Sequence, residues 1–398
     1  MGGNTMSSIY VYDFLKNNLS DSDAIENAFV YAKKEKIDTI IFDKKDWILD
    51  RAIRYFSNST ILVDGVTLKQ NEDVFDNVFR PENFLENPDD PYNYPLEIKE
   101  TENVKILGIN KARIEGPEKP SKRLNYCTGE MEETLGDIWG WRTLSVLVTR
   151  CKNFEFGGFF ITKTRNWAVS VERSDNCYFH DIEFLTSCVN GDGLNFRNGC
   201  HNIKIENIKG TTTDDLIALN NCEVFGQYPR KLWKTYLYPL VPSNFLIPQE
   251  EPSDSDIYNI DISNIKLKPI RFVEAVAFLA RGGHKIYNVS IRNVVEEKNL
   301  PSPLHANLIG AYYQENYGEL NKSVFIRNIY IDSVTAQDFE YPVLFRENVE
   351  GVFVKNVTQN CHSGVVVMAK DEDKIEISDC SSASGIIRAS VDKWQPPY

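Results

Sequence analysis

Apolar and polar residues alternate along most of this chain, and the alternation restarts behind an asparagine. Asn153-Phe-Glu-Phe-Gly, Asn176-Cys-Tyr-Phe-His, Asn202-Ile-Lys-Ile-Glu, Asn259-Ile-Asp-Ile-Ser and Asn288-Val-Ser-Ile-Arg share one pattern, and a second asparagine often closes it, at Asn207, Asn264 and Asn293. Weaker copies begin at Asn103, Ser323, Gly351 and Lys374. A period of two marks short strands with one buried face. Asparagine tolerates the left-handed backbone that a sharp corner between strands requires. Asn153, Asn176 and Asn202 lie 23 and 26 residues apart, and wider gaps read as turns carrying inserted loops. A strand-only repeat of this length predicts an all-β fold, a right-handed parallel β-helix of roughly ten turns. The Leu-x-x-Leu-x-Leu pattern of a leucine-rich horseshoe is absent.

One helix stands out. Ala24, Ile25, Ala28, Phe29 and Ala32 form an apolar stripe within residues 21–35, behind a Ser20 or Asp21 cap. Placed before the repeats, it is expected to close the N-terminal end of the solenoid, whose core and strand edges are otherwise open. Residues 1–398 are read as a single β-helix domain, with 1–60 as the N-terminal cap region and 223–256 as an inserted loop.

The repeat also sets vertical columns. Val146, Val169, Leu194 and Ile217 fall in one inward column, and Val148, Val171, Phe196 and Leu219 in the next. Two residues earlier, the same register aligns Trp167, Asp192 and Asp215, with Asp214 beside them. Neighbouring strands lie about 4.8 Å apart, so the carboxylates of Asn190-Gly-Asp-Gly and Thr213-Asp-Asp stack on successive rungs. Either motif alone is an ordinary turn. Two of them one rung apart point to a site, because crowded carboxylates raise one another's proton affinity. Glycoside cleavage needs that combination, a protonated acid beside an ionised base. Glu274 falls near the same column when the register is extended. Of the histidines, His180 and His201 lie on the asparagine side, whereas His284 and His305 fall on later rungs within reach of a cleft.

A net charge of −13 and the lack of a Lys/Arg stripe argue against nucleic acid as a partner. No apolar run approaches a membrane span. The eight cysteines lack metal-ligand spacing; Cys151 and Cys200 occupy equivalent wall positions with Ser174 between them. No cofactor or metal is expected. The N-terminal residues lack the basic and apolar regions of a secretion signal, so the expectation is cytoplasmic, or secreted if a leader has been removed. The 223–256 loop holds Phe225, Tyr228, Trp233, Tyr236, Tyr238 and Phe245; such rings stack on sugar faces or pack against the solenoid wall or a neighbouring subunit, which leaves a homo-oligomer open.

Asp21-Ser-Asp-Ala-Ile-Glu-Asn-Ala, the rung Asn103-Val-Lys-Ile-Leu-Gly-Ile-Asn-Lys-Ala-Arg-Ile-Glu-Gly, the aromatic segments Trp139 to Arg142 and Asn166-Trp167, Asn190-Gly-Asp-Gly and Thr213-Asp-Asp-Leu-Ile-Ala-Leu carry a family resemblance. Over most of its length the chain resembles the polygalacturonases, glycoside hydrolase family 28. The resemblance implies an inverting hydrolase of a pectin-related or other plant or microbial oligo- or polysaccharide. Asp214 would be the general acid, while Asp192 and Asp215 would hold and deprotonate a water. Asn190, Trp167, Arg281, Trp233, Tyr236 and His284 are the candidate sugar contacts. Two departures stand against this pattern. The family's Gly-His-Gly is replaced by Leu232-Trp-Lys-Thr-Tyr236, and its Arg-Ile-Lys by Ala277-Phe-Leu-Ala-Arg281. These favour a shorter or less acidic substrate than homogalacturonan. A β-helix polysaccharide lyase or epimerase, and a non-catalytic carbohydrate-binding tailspike or adhesin, are the alternatives.

Overall fold

The computed structural model describes residues 8–16, 18–86, 96–119, 122–124, 130–133, 136–221, 230–232, 235–237, 252–280, 284–300, 304–311 and 325–393. Its strands stack in parallel into a 17-stranded sheet and an 11-stranded sheet, so the chain coils once per rung, as a right-handed parallel β-helix. Among the described residues only small antiparallel pairs depart from this, such as Phe84–Leu85 with Glu97–Ile98 and Arg230–Leu232 with Thr235–Leu237. The predicted inward columns are present in the smaller sheet, where Val146 pairs with Val169, Val169 with Leu194 and Leu194 with Ile217. They enter a continuous apolar core that runs from Val11 to Ile375.

The corners explain the asparagines. Asn103, Asn153, Asn176, Asn202, Asn259 and Asn288 all have φ between 54° and 56°. Their amides form a ladder along the solenoid: Asn176 Nδ2 donates to Asn153 Oδ1 at 2.6 Å, Asn259 to Asn202 at 2.9 Å and Asn288 to Asn259 at 3.1 Å. Each corner thereby satisfies polar groups that stacking would otherwise leave unpaired. A second ladder joins Asn207, Asn264 and Asn293. One expectation is corrected here. The repeat placed at Ser323, which lies outside the described residues, turns instead at Asn328, with φ 54° and Nδ2 donating to Asn288 Oδ1.

Helix α1, Asp21–Glu35, begins with a capping box. The Ser20 hydroxyl accepts from the Asp23 N–H, and the Asp23 carboxylate accepts from the Ser20 N–H, both at 3.1 Å. It ends at Lys36 in the left-handed region. Its buried face, Ala24, Ile25, Ala28, Phe29 and Ala32, lies against the first strands and covers the core at that end. No helix among the described residues is long and apolar enough to cross a membrane.

Candidate active site

The site lies at the N-terminal edge of the smaller sheet, where each rung turns into its strand. The pairs Val169–Leu194 and Leu194–Ile217, carried back two residues, align Trp167, Asp192 and Asp215. Ala218–Ala277 and Val276–Ile309 extend that column to Glu274 and Asn307. Backbone hydrogen bonds fix it: Gly193 N–H to Asp215 O and Leu216 N–H to Glu274 O, each at 2.9 Å. Rungs this close explain the glycines around Asp192. A Cβ on Gly193 would lie 2.5 Å from the Leu216 carbonyl oxygen, and one on Gly191 would lie 2.4 Å from the Thr213 hydroxyl. Asn190, at φ 52°, makes the turn that aims Asp192.

The expected carboxylates come together, and Glu274 joins them. Asp192 and Asp215 are 4% and 2% exposed; Asp214 and Glu274 are half-buried. Asn195 Nδ2 donates to Asp192 Oδ2 at 2.6 Å, the Asp215 N–H donates to Asp214 Oδ1 at 3.1 Å, and the Glu274 N–H donates to Asp215 Oδ1 at 3.3 Å. Asn307 Nδ2 donates to Glu274 Oε1 at 3.1 Å. Burial holds all four carboxyls above the usual range, most strongly Asp192 and Asp215. For Asp215 the neighbouring Glu274, Asp214 and Asp192 add to this; for Asp214 the Asp215 N–H and Arg271 oppose it. Such a cluster can keep one carboxyl protonated while another is ionised. Among the described residues no set of three His, Cys, Asp or Glu is placed to hold a metal ion.

Sequence reasoning missed the outward face of the same strands. Leu147, Ser170, Asn195 and Ala218 align there, with Arg197 next to Asn220. The Arg197 guanidinium sits 4.9 Å from the Trp167 ring centre and lowers the proton affinity of Asp192. Among the described residues, Asp192 Oδ1, Asn195 Oδ1 and Ser170 Oγ are buried without a hydrogen-bond partner. Buried polar atoms in that state are groups that a ligand or water can satisfy. The signal was present in the sequence, because the polar alternates of Val169-Ser-Val-Glu and Leu194-Asn-Phe-Arg had to face away from the core.

The other candidate contacts fare differently. Trp167 takes its place in the column, but at 6% exposure it packs with Phe84, Trp141, Leu144 and Leu147 beneath Arg197, as wall rather than as an open sugar platform. His284 is placed away from the carboxylates. It is 1% exposed and follows the strand Val276–Leu279, on the edge opposite Glu274, where it acts on Asp256. His180 and His201 lie on the larger sheet, as expected. Arg281 and Trp233 lie outside the described residues, as does most of the 223–256 loop; Tyr236 stands in the short strand Thr235–Leu237, paired with Lys231.

No family model matches the sequence, and no curated protein matches it. Solved structures do match. A polygalacturonase from Erwinia carotovora is 13% identical, with a TM-score of 0.57 over 96% of each chain. A mutant tailspike protein of an E. coli bacteriophage, in complex with a pentasaccharide, is 11% identical, with a TM-score of 0.55 over 96% of this chain and 66% of that one. PfbA, a surface adhesin of Streptococcus pneumoniae, is 9% identical, with a TM-score of 0.52 over 96% of this chain and 89% of that one. At these identities the likeness is one of fold: the chain is built on the right-handed parallel β-helix of the polygalacturonases.

Proposed function

We propose that the protein is a glycoside hydrolase acting on a pectin-related or other plant or microbial oligo- or polysaccharide with inversion. The observation that carries this reading is the column Asp192, Asp215 and Glu274 with Asp214 beside it, all holding protons more tightly than free carboxyls do. Crowding four acids together, two of them buried and two half-buried, destabilises a fold, and chemistry gives a reason to retain them. Asp214, half-buried and so within reach of a sugar, donates its proton to the leaving glycosidic oxygen. Water attacks the anomeric carbon from the opposite face, and Asp192 takes the water's proton while Asp215 helps hold that water. Inversion requires the acid and base to stand about 6.5–9.5 Å apart. A shorter or less acidic oligosaccharide is the proposed substrate, with homogalacturonan a poor one.

The tailspike and adhesin neighbours favour a second reading, a solenoid that binds sugar without cleaving it. Product chromatography across pectic, rhamnogalacturonan and neutral oligosaccharides separates the two. Hydrolysis requires fragments from the wild-type protein and, from Asp214→Asn, bound but uncleaved sugar. Near-normal turnover by Asp214→Asn would remove the assignment.

A further inference from the structure

We infer that Glu274 is a positioning residue of the site, paired with Asp215 so that Asp215 works as a neutral carboxylic acid and donates a hydrogen bond. The inference rests on the hydrolase reading for its purpose, and on geometry for its substance. Asp215 and Glu274 occupy the same position on adjacent rungs, and their carboxyls are hydrogen-bonded to each other. Two carboxylates cannot make that contact without a proton between them. The proton sits on Asp215, because Glu274 has its own donor in Asn307 Nδ2, at 3.1 Å, and is less buried than Asp215. The Glu274 N–H, 3.3 Å from Asp215 Oδ1, holds the Asp215 carboxyl in place from the same rung.

What the pair faces points to a ligand. Asp192 Oδ1, on the preceding rung, is buried without a hydrogen-bond partner among the described residues. A water held there would meet an acceptor in Asp192, while Asp215, its proton directed to Glu274, adds no second negative charge beside it. The charged groups acting on the pair are Asp192 and Asp214; Arg197 and Arg271 act on those two in turn.

The pair gives opposite signatures in two variants. Glu274→Gln removes the negative neighbour that keeps Asp215 protonated, so the proton is lost at lower pH. Asn307→Leu removes the donor that stabilises the Glu274 carboxylate, so the pair keeps its proton to higher pH. The basic limb of the kcat/KM profile is therefore expected to move down in Glu274→Gln and up in Asn307→Leu. In Glu274→Gln, kcat should also fall about ten- to hundredfold, with KM changed by less than about threefold. Limbs that stay still while kcat falls would show a structural role and overturn the inference. Infrared spectroscopy of the full chain at neutral pH supplies a readout that needs no turnover. A neutral carboxylic-acid band should be present in the wild type and weaker in Asp215→Asn and Glu274→Gln, where only the Asp214 acid is left to contribute, and equal intensity in the variants would overturn the pair. The band's absence from the wild type would overturn the pair as well, whereas a wild type with the band and no cleavage would overturn the hydrolase reading alone.

Discussion

At the scale of single residues, the site and the fold pull against each other. Asp215 binds its proton more tightly in the folded chain than the usual carboxylate does, because it is buried among acids. A raised folded-state pKa means that stability is full below the unfolded value, near pH 4, and is lost as pH rises through the folded value. Asp215→Asn should therefore be more stable than the wild type at pH 7, by about 1–3 kcal/mol in urea unfolding, with the gain vanishing near pH 4. A gain independent of pH would point to another cause. Asp192, Asp214 and Asp215 were legible in the sequence because two short motifs fall one rung apart. Glu274 was legible only loosely, since 59 residues separate it from Asp215 and the inserted loop hides the period. Arg197 and Asn195 were passed over as the polar half of an ordinary strand alternation.

At the scale of elements, the asparagine corners hold the rungs in register. Asn176 adopts φ 54° and donates to Asn153 across the stack. Asn176→Ala loses that hydrogen bond and adds left-handed strain, at a cost of about 1–2 kcal/mol; Asn176→Gly escapes the strain and should cost less. Equal losses in urea unfolding would mean that the ladder, not the backbone, sets the corner. The asparagine pattern made these corners readable wherever loops were short. It failed at Asn328, although Asn328-Ile-Tyr-Ile-Asp fits the pattern, because 40 residues separate it from Asn288. Which polar residues share an edge follows from register alone. Which of them the surrounding chain then buries, as at Trp167 and His284, does not.

At the scale of the whole molecule, a parallel solenoid must close its ends, and α1 does so at the first rung. Ala28, on its inner face, is fully buried. A charge there, as in Ala28→Asp, should lift the helix, lower stability by about 2–4 kcal/mol and expose the strand edge, so that light scattering reports association growing with concentration. A monomeric variant of wild-type stability would show that the cap is dispensable. With that end covered, the continuous stack presents its carboxylates along one edge, and that edge is where the central claim is tested. The most direct measurement is an anomeric proton NMR time course of the full chain with the oligosaccharide panel. New reducing ends of inverted configuration are expected to form first, from at least one substrate. First-formed products of retained configuration, or sugar that binds without yielding any new reducing end, would contradict it.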